Sequence, residues 1–118
     1  MSLAGLKILV VEDEPIIAMA LEEQLEDAGA QPEVAGSIQR AHELLDARSF
    51  DAAILDINVH GEKSYSVAQI LARRSVPFVF ASGYGDTLNP AEYANVPTLT
   101  KPYDIAAVVN ALATARAE

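Results

Sequence analysis

Short runs of β-forming residues alternate with helical patterns along the whole chain, and this alternation leaves few folds open. The runs cover residues 7–11, a weaker 32–35, then 52–55, 76–81 and 98–100. Between them, apolar residues recur at helical spacing. The pattern predicts a first helix over about 15–28, with Pro15 in its opening turn and Gly29 as its stop. Ile17, Leu21, Leu25 and Ala28 form its sheet-facing stripe. Ser37 caps a second helix reaching about Arg48, with Ala41, Leu44 and Leu45 inward. A third spans about 65–74 and packs through Val67, Ile70 and Leu71. A last one runs from its cap Asp104 to about Arg116, with Ile105, Val108, Val109 and Leu112 as its stripe. Asn89, Pro90, Asn95 and two glycines in the stretch 83–96 leave room only for a short helix near 91–94. The expected architecture is α/β: a five-stranded parallel sheet, doubly wound as a (βα)5 three-layer sandwich.

Length and charge narrow what such a fold can do. The 118 residues make one domain over 1–118, large enough to bury roughly two thirds of its unfolded surface without a staple. Residues 1–5 show no charged or long apolar leader and read as a disordered or cloning-derived tail. Cysteine is absent, which excludes disulfides and thiolate metal sites and suits a reducing, cytoplasmic setting. No apolar stretch approaches the length of a membrane span. With 17 acidic against 8 basic residues the net charge is −9, a poor field for nucleic acid or an anionic membrane. Glu22, Glu23, Glu26 and Asp27 read as the solvated face of the first helix.

The ends of the runs carry the chemistry. Residues 7–11 lead into Glu12-Asp13, residues 52–55 into Asp56, residues 76–81 into Ser82, and the last run into Lys101-Pro102. Open α/β sheets place their ligand sites outside the carboxyl ends of the strands. Three carboxylates gathered there repel one another unless a hard divalent cation holds them, and Mg²⁺ is the natural candidate. Acids, a hydroxyl and an ammonium at one sheet edge make a set suited to phosphoryl transfer. His60 and His42 lack companions of ligand type and read as surface residues.

In order and spacing, Ile8-Leu9-Val10-Val11-Glu12-Asp13-Glu14-Pro15, then Asp56, Ser82 and Lys101-Pro102-Tyr103, resemble the receiver domains of two-component response regulators over nearly the whole chain. The resemblance implies a flavodoxin-like fold and a phosphorelay role. Asp56 is then the phosphoacceptor, taking a phosphoryl group from a histidine kinase or phosphotransfer protein. Glu12, Asp13, Asp56 and the backbone carbonyl of Asn58 are then the Mg²⁺ ligands. Lys101 would pair with Asp56 before transfer and with a phosphoryl oxygen after it, and Ser82 would hydrogen-bond another. No enzymatic turnover is implied beyond self-phosphorylation and slow loss of the phosphate.

The chain also departs from the common receiver pattern. No proline follows Asp56 in the segment 56–62, where receivers usually carry one. Thr98 stands where many receivers have a switching aromatic. Phe80-Ala81-Ser82-Gly83-Tyr84 resembles a subgroup with a Phe-Ala-Thr-Gly-Tyr type signature. On that resemblance Ser82 and Tyr84 become the switch pair, with phosphorylation reordering residues 83–95. Ile16 and Ala20, off the inward stripe of the first helix, are candidates for the kinase-docking face. The chain as given carries no output domain after its last helix, so it is expected to act by protein contact. It reads equally as a receiver cut from a hybrid kinase. An aspartate-nucleophile phosphatase of the haloacid-dehalogenase type is a competing class, though Asn58 stands where its second Asp would be. A degenerate, phosphorylation-independent binding module is a third.

Overall fold

A computed structural model describes residues 3–82, 91–93, 96–101 and 104–117. Its main sheet contains β1 (Lys7–Val11), β2 (Gln31–Ala35), β3 (Ala52–Asp56), β6 (Phe78–Ser82) and β7 (Thr98–Thr100). All neighbours run parallel, in the order β2-β1-β3-β6-β7. The helices are α1 (Pro15–Asp27), α2 (Ile38–Ala47), α3 (Tyr65–Arg73) and α4 (Ile105–Ala117). This is the doubly wound α/β sandwich expected from the alternation. Between β6 and β7 the described residues show one 3₁₀ turn, Ala91–Tyr93.

Strand periodicity sorts the core into two layers. Leu9, Val11, Ala53, Leu55 and Phe80 point to the face covered by α2 and α3, where Leu44, Leu45, Val67 and Leu71 meet them. Ile8, Val10, Ala52, Ile54 and Val79 point to the opposite face, against Leu21 and Leu25 of α1 and Val108 and Leu112 of α4. The central strands are buried on both faces, which is why β1 and β3 read as unbroken apolar runs. Pro32 is tolerated because β2 is an edge strand.

Local chemistry sets the helix boundaries. The Ser37 hydroxyl accepts from the Arg40 N–H at 3.0 Å, and Asp104 Oδ1 accepts from the Ala107 N–H at 2.9 Å, as caps do. Gly29 ends α1 with φ +87°, and a Cβ there would press on Ala4 at 3.3 Å.

Two readings of the sequence need correction, and one segment shows an element the sequence did not suggest. Leu3 is no loose tail: it is 2% exposed and packs with Ile8, Leu25 and Ala30, while the Gly5 N–H bonds the Gly29 carbonyl at 2.8 Å. The inward stripe of α1 is Ala18, Leu21 and Leu25, with Ile17 only half-buried. The segment after Asp56 is ordered as a hairpin, β4 (Asn58–Val59) against β5 (Glu62–Lys63).

Candidate functional site

The order of the sheet places the site. The chain leaves β1 outward to β2 and returns on the other side as β3, so the β1 and β3 ends flank the point where strand order reverses. Glu12 and Asp13 follow β1, and Asp56 is the last residue of β3. Ser82 ends β6, one position beyond the register partner of Asp56, Ala81. Lys101 follows β7. Backbone hydrogen bonds prolong the ladder past the strand ends: Glu12 N–H to Ala35 O at 3.1 Å, Ile57 N–H to Ala81 O at 3.1 Å, Lys101 N–H to Ser82 O at 2.9 Å. The site residues are therefore held by the sheet itself.

Two of the acids are buried, Glu12 at 3% and Asp56 at 5% exposure. The Lys101 ammonium bridges them, 2.7 Å from Glu12 Oε2 and 3.0 Å from Asp56 Oδ2. Glu12 Oε1 accepts the Glu14 N–H at 3.1 Å, turning the chain into α1. One ammonium does not satisfy two buried carboxylates. Burial holds both acids above their usual range, with Lys101 opposing the shift; the Asp56 charge adds to the rise of Glu12, and the Asp13 charge to that of Asp56. Burial alone would lower the Lys101 amine, yet its bonds to Glu12 and Asp56 carry it above its ordinary value. The opposite burdens on acid and amine are consistent: the ammonium stays charged, and the surplus lies on the acids.

Glu12, Asp13 and Asp56 each offer an oxygen within 4.8 Å of the others. An all-oxygen set rich in carboxylate suits a hard cation such as Mg²⁺, and the negative charge left after Lys101 favours its binding. Asn58, half-buried in β4, lies two residues past Asp56. Asp13 does not cap α1, whose N-cap is Glu14 without a side-chain bond. Its Oδ2 instead accepts the His60 N–H at 2.7 Å, with the His60 ring Nδ1 3.8 Å away. The His60 ring is exposed, as expected from the sequence, and what the hairpin adds is the backbone N–H bond to Asp13. His42, on α2, is bonded to Ser66 of α3 at 3.0 Å.

Tyr84 and the rest of residues 83–90, together with 94–95, lie outside the described residues, so the Tyr84 reading has no structural counterpart here. Thr98 is exposed in β7, in register with Phe80. The aromatic that sequence reasoning missed is Tyr93. It is buried, stacks on Tyr65 at 5.6 Å and meets Phe80 edge-on at 5.7 Å. Its setting among prolines and asparagines gave no periodic signal. On α1, Ile16 is 83% and Met19 63% exposed, and Ala20 is exposed beside them.

Comparison with known proteins agrees with this geometry. The sequence profile of the response regulator receiver domain matches residues 8–113. The solution structure of SdrG from Sphingomonas melonis Fr1 superposes with a TM-score of 0.85 at 42% identity, covering 98% of each chain. A CheY-like receiver domain from Methylobacillus flagellatus gives a TM-score of 0.77 at 28% identity, over 95% of this chain and 99% of that one. Among curated sequences, a putative NtrX-like response regulator of Rickettsia felis is 27% identical over 86% of this chain, and the regulatory protein TcrA of Mycobacterium tuberculosis 28% over the same share. The chain spans only 23% and 42% of those two proteins' lengths.

Proposed function

This chain belongs to the response regulator receiver domains of two-component signalling, and from that premise we propose that Asp56 is its phosphoacceptor. A carboxylate oxygen of Asp56 attacks the phosphorus of a phosphohistidine in line. The P–N bond breaks, the imidazole leaves with its electron pair, and an acyl phosphate forms. The observation that carries the reading is the buried Asp56 carboxylate at a strand end with the Lys101 ammonium 3.0 Å away. Lys101, which pairs with Asp56, would hold a phosphoryl oxygen after transfer. Ser82, on the neighbouring strand end, offers its hydroxyl to another oxygen. Glu12, Asp13, Asp56 and the Asn58 carbonyl would hold Mg²⁺. The ion, when bound, offsets the repulsion between an anionic nucleophile and an anionic phosphoryl group.

The domain is a signalling phosphoprotein rather than a turnover enzyme, and its output passes through protein contact. Its donor is a histidine kinase or phosphotransfer protein, with exposed Ile16, Met19 and Ala20 as the docking surface beside the site. A second structure of SdrG, at 41% identity, is described as BeF3-activated. Beryllofluoride on a carboxylate mimics an acyl phosphate, which supports the same use of Asp56 here.

Intact-mass spectrometry after acetyl phosphate treatment tests the proposal. One added phosphoryl group that requires both Mg²⁺ and Asp56, and is absent in Asp56→Asn, is the expected result. No adduct under trapping conditions would instead favour a phosphorylation-independent binding module.

A further inference from the structure

The hairpin after Asp56 is built on an unusual turn. His60 and Gly61 both have positive φ, 51° and 80°, the pair of left-handed residues that a two-residue type I′ connection needs. Glycine takes such a conformation freely. Histidine does so at a cost, since Asn, Asp or Gly normally fill that place. The compensation is visible across the site: the His60 N–H donates to Asp13 Oδ2 at 2.7 Å, linking segments 47 residues apart. The bond is charge-assisted and therefore among the stronger kinds. It also depends on the missing proline, because a proline in this loop has no N–H to give. The ring itself is 67% exposed with Nδ1 3.8 Å from the same oxygen, so the short contact is made by the backbone.

We propose that the β4–β5 hairpin is a clamp on the cation site, with His60 as a positioning residue whose backbone N–H fixes Asp13 as a ligand. The inference rests on reading Glu12, Asp13 and Asp56 as that site. Asp13 is half-buried on a loop, and without a partner its carboxylate has rotamers to lose when it takes an ion. Partners behind a ligand fix its orientation in advance and are commonly worth 10- to 100-fold in affinity, as an order of magnitude. Coupling is reciprocal, so an ion that gains affinity from the hairpin also steadies the hairpin. The hairpin in turn leads into α3, its base closed by the Ser64 N–H on the Ile57 carbonyl at 3.0 Å. Ion occupancy is thereby transmitted to the start of a helix.

The test compares Mg²⁺ affinity by calorimetry in wild type, His60→Gly and His60→Pro. His60→Gly keeps the N–H and removes the strain, and should bind Mg²⁺ at least as tightly as wild type. His60→Pro removes the N–H and cannot adopt a positive φ, and should bind roughly tenfold more weakly or worse. Equal affinities in all three, with wild type phosphorylated normally, would overturn the clamp and leave the proposed function standing. Absence of Mg²⁺ binding by wild type would overturn the cation site and the clamp together. NMR decides independently should His60→Pro fail to fold. The His60 amide resonance should move on Mg²⁺ addition and shift upfield in Asp13→Ala, and an amide indifferent to Asp13→Ala would contradict the inference.

Discussion

The two ends of β1 and β3 use their acids in opposite ways. At the amino end, Asp51 is exposed, its Oδ2 accepts the Lys7 N–H at 2.8 Å, and its own N–H returns a bond to the Lys7 carbonyl at 2.7 Å. That carboxylate is spent on joining two strands. At the carboxyl end, Glu12 and Asp56 are buried against a single ammonium and pushed toward protonation by their surroundings. The first arrangement stabilises the sheet. The second costs stability, and on the proposed reading its surplus negative charge is what would draw a cation. The same strands carry a paired acid at one end and an unbalanced acid cluster at the other.

Removing the ammonium should break the contrast most severely. Lys101→Ala leaves two buried carboxylates unpaired, a change that costs about 3 kcal/mol where one partner of a buried pair is lost. Urea denaturation at neutral pH should show it, and added Mg²⁺ should return part of the loss.

The sharpest comparison is one of sign. Asp56→Asn relieves repulsion and should raise stability by about 1 kcal/mol without divalent cations. Asp51→Ala, at the other end of the same strand, loses its bond to Lys7 and should lower stability by about 1 kcal/mol. Losses of equal size at both ends would erase the distinction.

Acidity probes the same imbalance. Burial disfavours the charged forms of Glu12 and Asp56 and holds both carboxyls above their ordinary range in the folded chain. The folded state therefore holds protons more tightly than the unfolded one. That stabilisation is full at low pH and is lost as pH rises through the folded pKa values. As pH rises above the ordinary carboxylate range, unfolding free energy attributable to these groups should fall, and Mg²⁺ should flatten the slope. Lys101 acts only in the alkaline range, where its raised pKa prolongs its contribution beyond the ordinary 10.5.

The smallest expected effect lies behind the site. Ser64 is fully buried at the start of α3, and its hydroxyl has no hydrogen-bond partner among the described residues. Its backbone carbonyl and N–H carry the local structure, so Ser64→Ala should be neutral or stabilising by up to about 1 kcal/mol in thermal denaturation.

Much of this was legible in the chain because local and tertiary demands agree. The runs ending in Glu12-Asp13 and Asp56 are apolar throughout since both faces of those strands are covered, and strand-end acids in a parallel sheet converge by topology alone. The parallel doubly wound sheet and the Glu12, Asp56, Lys101 cluster follow from that, and the caps at Ser37 and Asp104 were legible from their residue types. Features set by single backbone conformations were harder to read. Nothing in Val59-His60-Gly61-Glu62 announces a hairpin, because histidine is not a residue expected in a left-handed turn position. Tyr93 was hidden for a related reason: its burial depends on Tyr65, Phe78 and Phe80 meeting it from distant segments. The burial of Leu3 likewise depends on α1 and its terminal turn rather than on any pattern around it.

The most direct measurement is ¹⁹F NMR of the protein with beryllofluoride, with and without Mg²⁺, in wild type and Asp56→Asn. Bound fluorine resonances that appear only with Mg²⁺ and only when Asp56 is present would establish that the carboxyl end of the sheet takes a cation and a phosphoryl-like group on that carboxylate. Bound resonances that persist in Asp56→Asn, or their absence from wild type, would contradict it.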